Sequence, residues 1–480
     1  MKLQDLSKAT FLTWQDLQEC ESESDKIAFI RRAISIHESS PAFKAGREAG
    51  FFYRQIDPEL EAYTKKVYDL QGVAHEDNVS PNNKLTTNFF YTFTDQMVQY
   101  LLGNGVSFDN PEIKEKLGND FDYSLIDMLT YAACDGISFA LYTEERGIEP
   151  FCLACRVEGK EPYFVPLYDE DDGSLKAGIR YWRLAPNKPL RATLYEPGYV
   201  TEYKEFTDSD GETGLQVMEE RKPYTSNTVS NDIEGVYSST GEDSGVLPII
   251  QMDYINGQSS IVGNRNKLHS FNMILSEYAN NVDWNLLYWV LNNCDGMSTQ
   301  DDINFVASII KSHVFHLQDG VTAEPHQLQV QYESREALLE RLRRQLFFDF
   351  QAVDVERIAA GNVTTVEINA AYNSLERKCD KVEKYVSRTI QQLLVLMGYG
   401  KDEPFHFQRA RERNEQEAIQ TAILKAPYIG DEAVTKEICE ISGKTDEFEE
   451  IQAKKAAEAM AMMQQMAQQG TEMEVENNAE

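Results

Sequence analysis

Few residue groups in this chain have the spacing of reactive or ligand-binding sites. Gly103-Asn104-Gly105 closes the run NNKLTTNFFYTFTDQMVQYLLGNGVSF, residues 82–108, and glycines in such clusters cradle phosphates in nucleotide enzymes. A phosphate loop needs a strand and then glycines that open a helix, so that free N–H groups face the anion. Here the order is reversed. Phe89, Phe93, Met97 and Leu101 recur four residues apart with Phe90 and Val98 beside them, so an amphipathic helix precedes the glycines and ends on a left-handed cap. Cys152 and Cys155 of FCLACR are spaced like half a zinc site, but the sequence offers no second pair and no nearby His, and zinc takes four ligands. DEDDGS and DSDGETG suggest calcium loops. With Gly173 or Gly211 at the sixth position, however, Tyr168 or Phe206 falls at the first and Ile179 or Val217 at the twelfth, where carboxylates are required. Both read as hairpin turns. His313 and His316 in HVFH fall on opposite faces of a strand and cannot share a metal. No G-x-S-x-G, H-E-x-x-H or Walker motif occurs, and acidic residues are so numerous that no catalytic pair stands out. The expectation is a protein without catalytic residues, metal or cofactor, with a metal-dependent hydrolase as an alternative.

The elements that carry these groups predict an α+β chain, mainly helical around a central β-rich segment. ESDKIAFIRRAISIHESS forms one helix, and Ser39 or Ser40 before Pro41 opens a second. FDYSLIDMLTYAACDGISFALY reads as a helix that ends near Asp135-Gly136 and passes into a strand. From about 137 to 255 the period is two, with turn clusters between strands, and 222–247 reads as a loop. Helix returns over 259–291 with Leu268, Phe271, Ile274, Leu275, Tyr278 and Val282 in one stripe. A mixed insert follows, with a helix DDINFVASIIKS and strands HVFHLQ and HQLQVQYE, before ESREALLERLRRQLFFDFQAV resumes the helix. Gly361-Asn362 breaks it. Thr364 with Glu367 makes a capping box that starts a helix reaching Gly398, roughly 50 Å long at 1.5 Å per residue. The tail shows helical patches, FHFQRARERNEQEAIQTAILKA and DEAVTKEICEI, and ends in an Ala/Met/Gln tract.

With 480 residues the chain predicts two to four domains. Lys and Arg number 46 against 79 Asp and Glu, a formal charge of −33. Such acidity opposes wrapping by nucleic acid, whose binding draws on Lys and Arg for counterion release. The 42 % apolar content is too high for a disordered chain. Seven scattered cysteines suit a reducing compartment. The N-terminus lacks the apolar run of a signal peptide and no stretch reaches the length of a membrane span, so neither export nor a bilayer is expected.

Several segments, in order, resemble the portal proteins of tailed double-stranded DNA bacteriophages of the long-tailed type. NNKLTTNFFYTFTDQMVQYLLGNGVSF is similar to that family's Asn-rich turn, aromatic helix and Tyr-Leu-Leu-Gly ending. DGISFALYTEE, VPLYDEDDGSLKAGIRYWR, LYEPGYVTEYKE and GVLPIIQMDYINGQ resemble its strands, GNVTTVEINAAYNSLERKCDKVEKY the segment after its tunnel loop, and FQRARERNEQEAIQTAI its first crown helices. The resemblance covers roughly residues 30 to 450. It implies a ring, usually of twelve subunits, at one capsid vertex, through which a separate terminase ATPase drives double-stranded DNA. It also implies docking of the terminase large subunit and head–tail connector or adaptor proteins, contact with major capsid and scaffolding proteins, and assembly in the host cytoplasm into the virion.

The same resemblance divides the chain. Residues 1–258 and the long helix 364–398 form a wing, 259–288 and 333–352 the stem helices, 289–332 a clip, 353–363 the tunnel loop and 399–480 a crown. It makes Asp354, Glu356, Arg357 and Asn362 candidates for the DNA channel, and Asp295, Asp301 and Asp302 candidates for terminase or connector contact. Arg341, Arg343 and Arg344 form a basic cluster on the second stem helix, either a belt that meets DNA or capsid, or partners of acidic residues. Another acidic phage structural or scaffold adaptor is the competing structural reading.

Overall fold

The computed structural model describes residues 12–409 apart from 69–71, 78–79, 145, 208–212, 224–226, 230–237, 241–245, 284–286, 293–321, 328–331 and 356–364. Beyond them it describes 419, 422–425, 430–441, 448 and 451–454. The chain divides into two compact units, one of residues 1–353 and 374–409 and one of 354–373 and 410–480.

The first unit is built on an eight-stranded sheet. Its strands are β1 (Ile137–Thr143), β2 (Gly147–Cys152), β3 (Tyr163–Tyr168), β4 (Leu175–Trp182), β5 (Arg191–Glu196), β6 (Tyr199–Thr207), β7 (Thr213–Pro223) and β8 (Ile249–Asp253). They lie in the order β7-β6-β5-β4-β3-β2-β1-β8. All neighbours are antiparallel except β2 and β3, which share a single parallel bridge between Cys152 and Tyr163. The period-two pattern explains the two-sided burial. Val165, Leu167, Ile179, Tyr181, Leu194 and Tyr203 pack on Phe29, Ile30 and Ile34 of helix α1 (Glu23–Ser39). Phe164 points the other way, into a cluster with Phe139, Phe151, Tyr195 and Ile249.

The sequence punctuation acts as its chemistry predicts. Ser22 and Asp25 form a reciprocal capping box at α1, and Ser40 caps α2 (Pro41–Tyr53) with Pro41 in its first turn. Helix α3 (Phe89–Leu102) and α4 (Phe121–Asp135) follow, and Gly136, at φ +89°, ends α4 and releases the chain into β1. DEDDGS is a hairpin turn between β3 and β4, its Asp169 and Asp172 carboxylates accepting from the turn's own backbone at Asp171 and Ser174. β6 and β7 pair up to Thr207 and Thr213. The residues between them lie outside the described set.

Four expectations need correction. Gly103 is right-handed at φ −59°, and Gly105, at φ +74°, takes the left-handed position two residues later. The site beside it is filled by the protein's own Asp122, which accepts from Val106 N–H at 3.2 Å and from Lys114 at 2.7 Å. Within the expected loop 222–247, Asn227–Val229 pairs with Ser238–Thr240. The helix read over 259–291 is α5 (Arg265–Asp283), and Leu287–Asn292, rich in aromatic and β-branched residues, pairs instead with Thr322–Gln327. Phe405–Phe407, read as helical, is a strand on Val106–Phe108, the alternation Phe-His-Phe having overridden the helical period.

Helix α6 (Tyr332–Phe350) and α7 (Thr365–Leu396) complete the main elements, and Asp431–Ile441 is helical as expected. The expected cap at Thr364 lies outside the described residues. Leu375, Cys379, Val382, Val386 and Leu393 of α7 are buried at the spacing the sequence shows. Thr389 and Gln392 of α7 also meet both backbone polar groups of Gln251 on the open side of β8, which closes that sheet edge.

Helices α2 to α6 share one core with Phe52, Phe90, Phe93, Phe271, Leu346 and Phe350 at its centre. Phe93 is 1 % exposed and stacks against Phe89, Phe347 and Phe350. Phe93→Ala is expected to cost about 3–5 kcal/mol by transfer and cavity terms. The measurement is the denaturant midpoint and the yield of folded chain, and an unchanged midpoint would contradict this packing.

Candidate functional site

The helix pair α5 and α6 and the chain that leaves α6 hold most of the described candidate residues. Helix α5 is fixed by a ladder of side-chain hydrogen bonds to an extended segment before α3. Asn280 Oδ1 accepts from Asn83 N–H at 2.6 Å, Ser276 Oγ from Leu85 N–H at 2.9 Å, and Asn272 Oδ1 from Thr87 N–H at 3.0 Å. The match is metric. Four helical residues rise about 6 Å and two extended residues about 6.6 Å, so every fourth side chain meets every second amide. Asn272 also donates to Asp57, which is fully buried and contacts His269 Nδ1 at 2.9 Å. His269 Nε2 lies 3.4 Å from Glu59, and Arg265 bridges Glu48 and Glu59. Lys267 pairs with Asp349 and so ties α5 to α6.

The end of α6 is fixed as tightly. Gln351, at φ +54°, takes the left-handed position where glycine is usual. Its N–H bonds Phe348 O and that of Ala352 bonds Phe347 O, the paired bonds of a Schellman ending. The Phe350 carbonyl left over accepts from Lys378 of α7 at 3.0 Å. Burial holds that ammonium down to about 8. Val353 then pairs with the Gln96 side chain, its N–H donating to Oε1 at 2.8 Å and its carbonyl accepting from Nε2 at 3.0 Å.

Of the sequence candidates, Asp354 is half-buried at the start of the second unit. Glu356, Arg357 and Asn362 lie outside the described residues, as do Asp295, Asp301, Asp302 and the His313–His316 pair. The basic cluster is described. Arg344 Nε pairs with Glu340 at 2.9 Å, Arg343 reaches the same carboxylate at 4.0 Å while lying over the Phe347 ring, and Arg341 is exposed. Glu340 of the same helix therefore offsets part of the cluster's charge. Gln96, Lys378 and the Asn272/Ser276/Asn280 row were not singled out from sequence. The row was nonetheless legible as three small polar residues at intervals of four along one helix.

Cys152 and Cys155 have a neighbour that spacing did not reveal. Asp135 brings a carboxylate oxygen to their sulfurs, all within 4.8 Å and all buried. Its Oδ2 accepts from Ala154 N–H at 2.9 Å and Cys155 N–H at 3.2 Å. Burial pushes both thiols well above their ordinary value.

No arrangement among the described residues unites a nucleophile, a base and an open pocket. What the geometry shows is a helix pair, and the chain after it, held in place by side-chain hydrogen bonds to the backbone. The chain belongs to the phage portal protein family of the SPP1 Gp6-like type, whose family model matches residues 53–461. It is 22 % identical over 489 residues to the portal protein of Bacillus phage SPP1, covering 91 % of each chain. To the portal protein of Clostridium phage phiCD119 it is 22 % identical over 335 residues, covering 66 % of this chain and 71 % of the relative. Solved necks of native and empty GTA particles, computed with C12 and C6 symmetry, overlap 73 % of the chain at TM-scores of 0.38 and 0.37 with 10 % and 11 % identity. They cover 89 % and 90 % of those chains. Membership rests on the family match.

Burial raises the Asp135 carboxyl to about 6. The folded state thus holds this proton more tightly than the unfolded chain, and stability from this group is lost as pH rises from about 4 to about 6. The difference corresponds to about 3 kcal/mol at most. Asp135→Asn keeps an acceptor and cannot ionise, so its stability relative to the parent should increase between pH 4.5 and 7.5. Urea midpoints that run parallel across that range would contradict this.

Proposed function

We propose that the chain closes with further copies of itself into a ring at one vertex of the capsid, a channel for double-stranded DNA during packaging and ejection. The observation that carries this reading is the family match over residues 53–461 together with the similarity to the SPP1 portal protein over 91 % of each chain. In this reading the ring has twelve subunits and is assembled in the host cytoplasm. It docks the terminase large subunit and the head–tail connector or adaptor proteins, and it meets the major capsid and scaffolding proteins. Residues 259–288 and 333–352, which carry α5 and α6, are the stem, 289–332 the clip and 353–363 the tunnel loop. Residues 1–258 and α7 form the wing and 399–480 the crown. The ring performs no catalysis, since the terminase supplies the energy of translocation.

The charge supports the channel role. A formal −33 on each chain gives a ring a strongly negative field. Phosphates inside such a channel are repelled from every wall, and a duplex without a deep electrostatic well slides. Asp354 and Glu356 keep the narrowest part non-adhesive, while Arg357 and Asn362 make transient phosphate contacts. Asp295, Asp301 and Asp302 offer the clip's carboxylates to the terminase or connector. Arg341 and Arg344, the exposed members of the cluster, supply positive charge at the neck.

Negative-stain images of the purified chain should show closed rings with a central hole, and monomers alone at micromolar concentration would count against the reading. Glu356→Lys should slow DNA packaging by adding a phosphate-binding charge to the channel, and Arg357→Glu should change it by removing one. Normal packaging in both would remove the roles given to these residues.

A further inference from the structure

We propose that Gln96 and Lys378 are positioning residues that pinch the base of the tunnel loop, so that the wing core sets where the channel-lining chain emerges. The inference rests on reading 353–363 as that loop. The chain leaves the first unit after Val353 and returns to it at Ser374. Both sides of this excursion are tied down within the first unit. On the leaving side, Val353 is 3 % exposed and both its backbone polar groups are taken by one side chain, Gln96, as an adjacent strand would take them. On the returning side, Lys378 is 7 % exposed and spends its ammonium on the carbonyl of Phe350, three residues before Val353. One hydrogen bond therefore connects the chain before the excursion directly to the chain after it.

Helix α3 is common to both ties. It carries Gln96, and one residue on, the Met97 carbonyl faces Cys379 Sγ at 3.9 Å, while Tyr100 donates to Glu376 at 3.2 Å. A buried ammonium facing a neutral carbonyl is expensive unless its place is fixed. A glutamine that satisfies both the N–H and the C=O of one residue likewise ties that residue's backbone to the reach of a single side chain. Neither feature adds apolar packing that a leucine would not supply better. Both fix the direction of the chain at Gln351–Val353, where Gln351 already holds a left-handed backbone without being glycine.

The test uses the full chain with cognate procapsids and terminase. Gln96→Glu keeps an acceptor for Val353 N–H but sets a carboxylate against its carbonyl. Lys378→Met keeps the volume and removes the donor to Phe350. Each should form rings that enter procapsids, while DNA packaged per incorporated ring falls several-fold. Amide exchange at Val353 should rise about tenfold or more in Gln96→Glu, the consequence of weakening a buried hydrogen bond. Reduced ring yield and melting temperature with normal packaging per ring would show an ordinary structural role and overturn the proposal. In the unaltered ring, Val353 exchanging as fast as exposed amides would overturn it without any variant. If Glu356→Lys and Arg357→Glu alter packaging but Gln96→Glu and Lys378→Met do not, the loop reading stands and the positioning role falls. If all four package normally, the loop reading itself falls.

Discussion

The two-point hydrogen bond between the Gln96 side chain and the backbone of Val353 is the contact on which the arrangement around the helix pair depends. A chain that leaves a helix must either expose its next peptide groups to water or find partners for them. Here Val353 is buried, so water is unavailable and α3 supplies the partner. Because α3 also packs Phe90 and Phe93 on Phe350, one neighbour holds both the last turn of α6 and the first buried residue after it. The Lys378 contact to Phe350 brings α7 into the same arrangement.

Elsewhere the molecule solves the same problem with other side chains. The ladder from Asn272, Ser276 and Asn280 lets an extended segment lie along a helix with its amides satisfied, although no sheet is available to pair it. Thr389 and Gln392 do the corresponding work at the edge of β8. In each case a helix offers polar side chains to the backbone of an element whose groups no neighbouring strand pairs. This pattern suits a subunit that repeats in a ring. Rigid internal placement lets many copies present the same surface in the same orientation.

Acidity and apolar packing act at different scales here. Internal ion pairs such as Arg265 with Glu48 and Glu59, Lys267 with Asp349, and Arg409 with Asp380 and Glu383 consume many of the 46 basic residues. The excess of acid is left for the long-range field, which needs no particular residue to be placed with care. Among the described residues the fold is held by three apolar clusters, where side-chain shape and not charge decides the fit.

The sequence by itself determined the elements whose signals are local. Helix α1, the capped start of α2, the α4-to-β1 passage at Gly136, the β-rich character of 137–255 and the apolar stripe of α7 are all periodic or punctuated features, and each was legible. The ordered set of family motifs likewise sufficed to place the chain among portal proteins. Sequence misjudged elements whose fate is settled by a distant partner. Leu287–Asn292 continues a helical stripe until Thr322–Gln327 recruits it as a strand, and Phe405–Phe407 is drawn to Val106–Phe108. Only the tertiary structure brought Gln96 to Val353, Lys378 to Phe350 and Asp135 to Cys152 and Cys155, separations of 257, 28 and about 20 residues. The physical reason is common to all three. A polar side chain inside a core is defined by the one buried group it satisfies, and no period or spacing in the chain encodes which group that is.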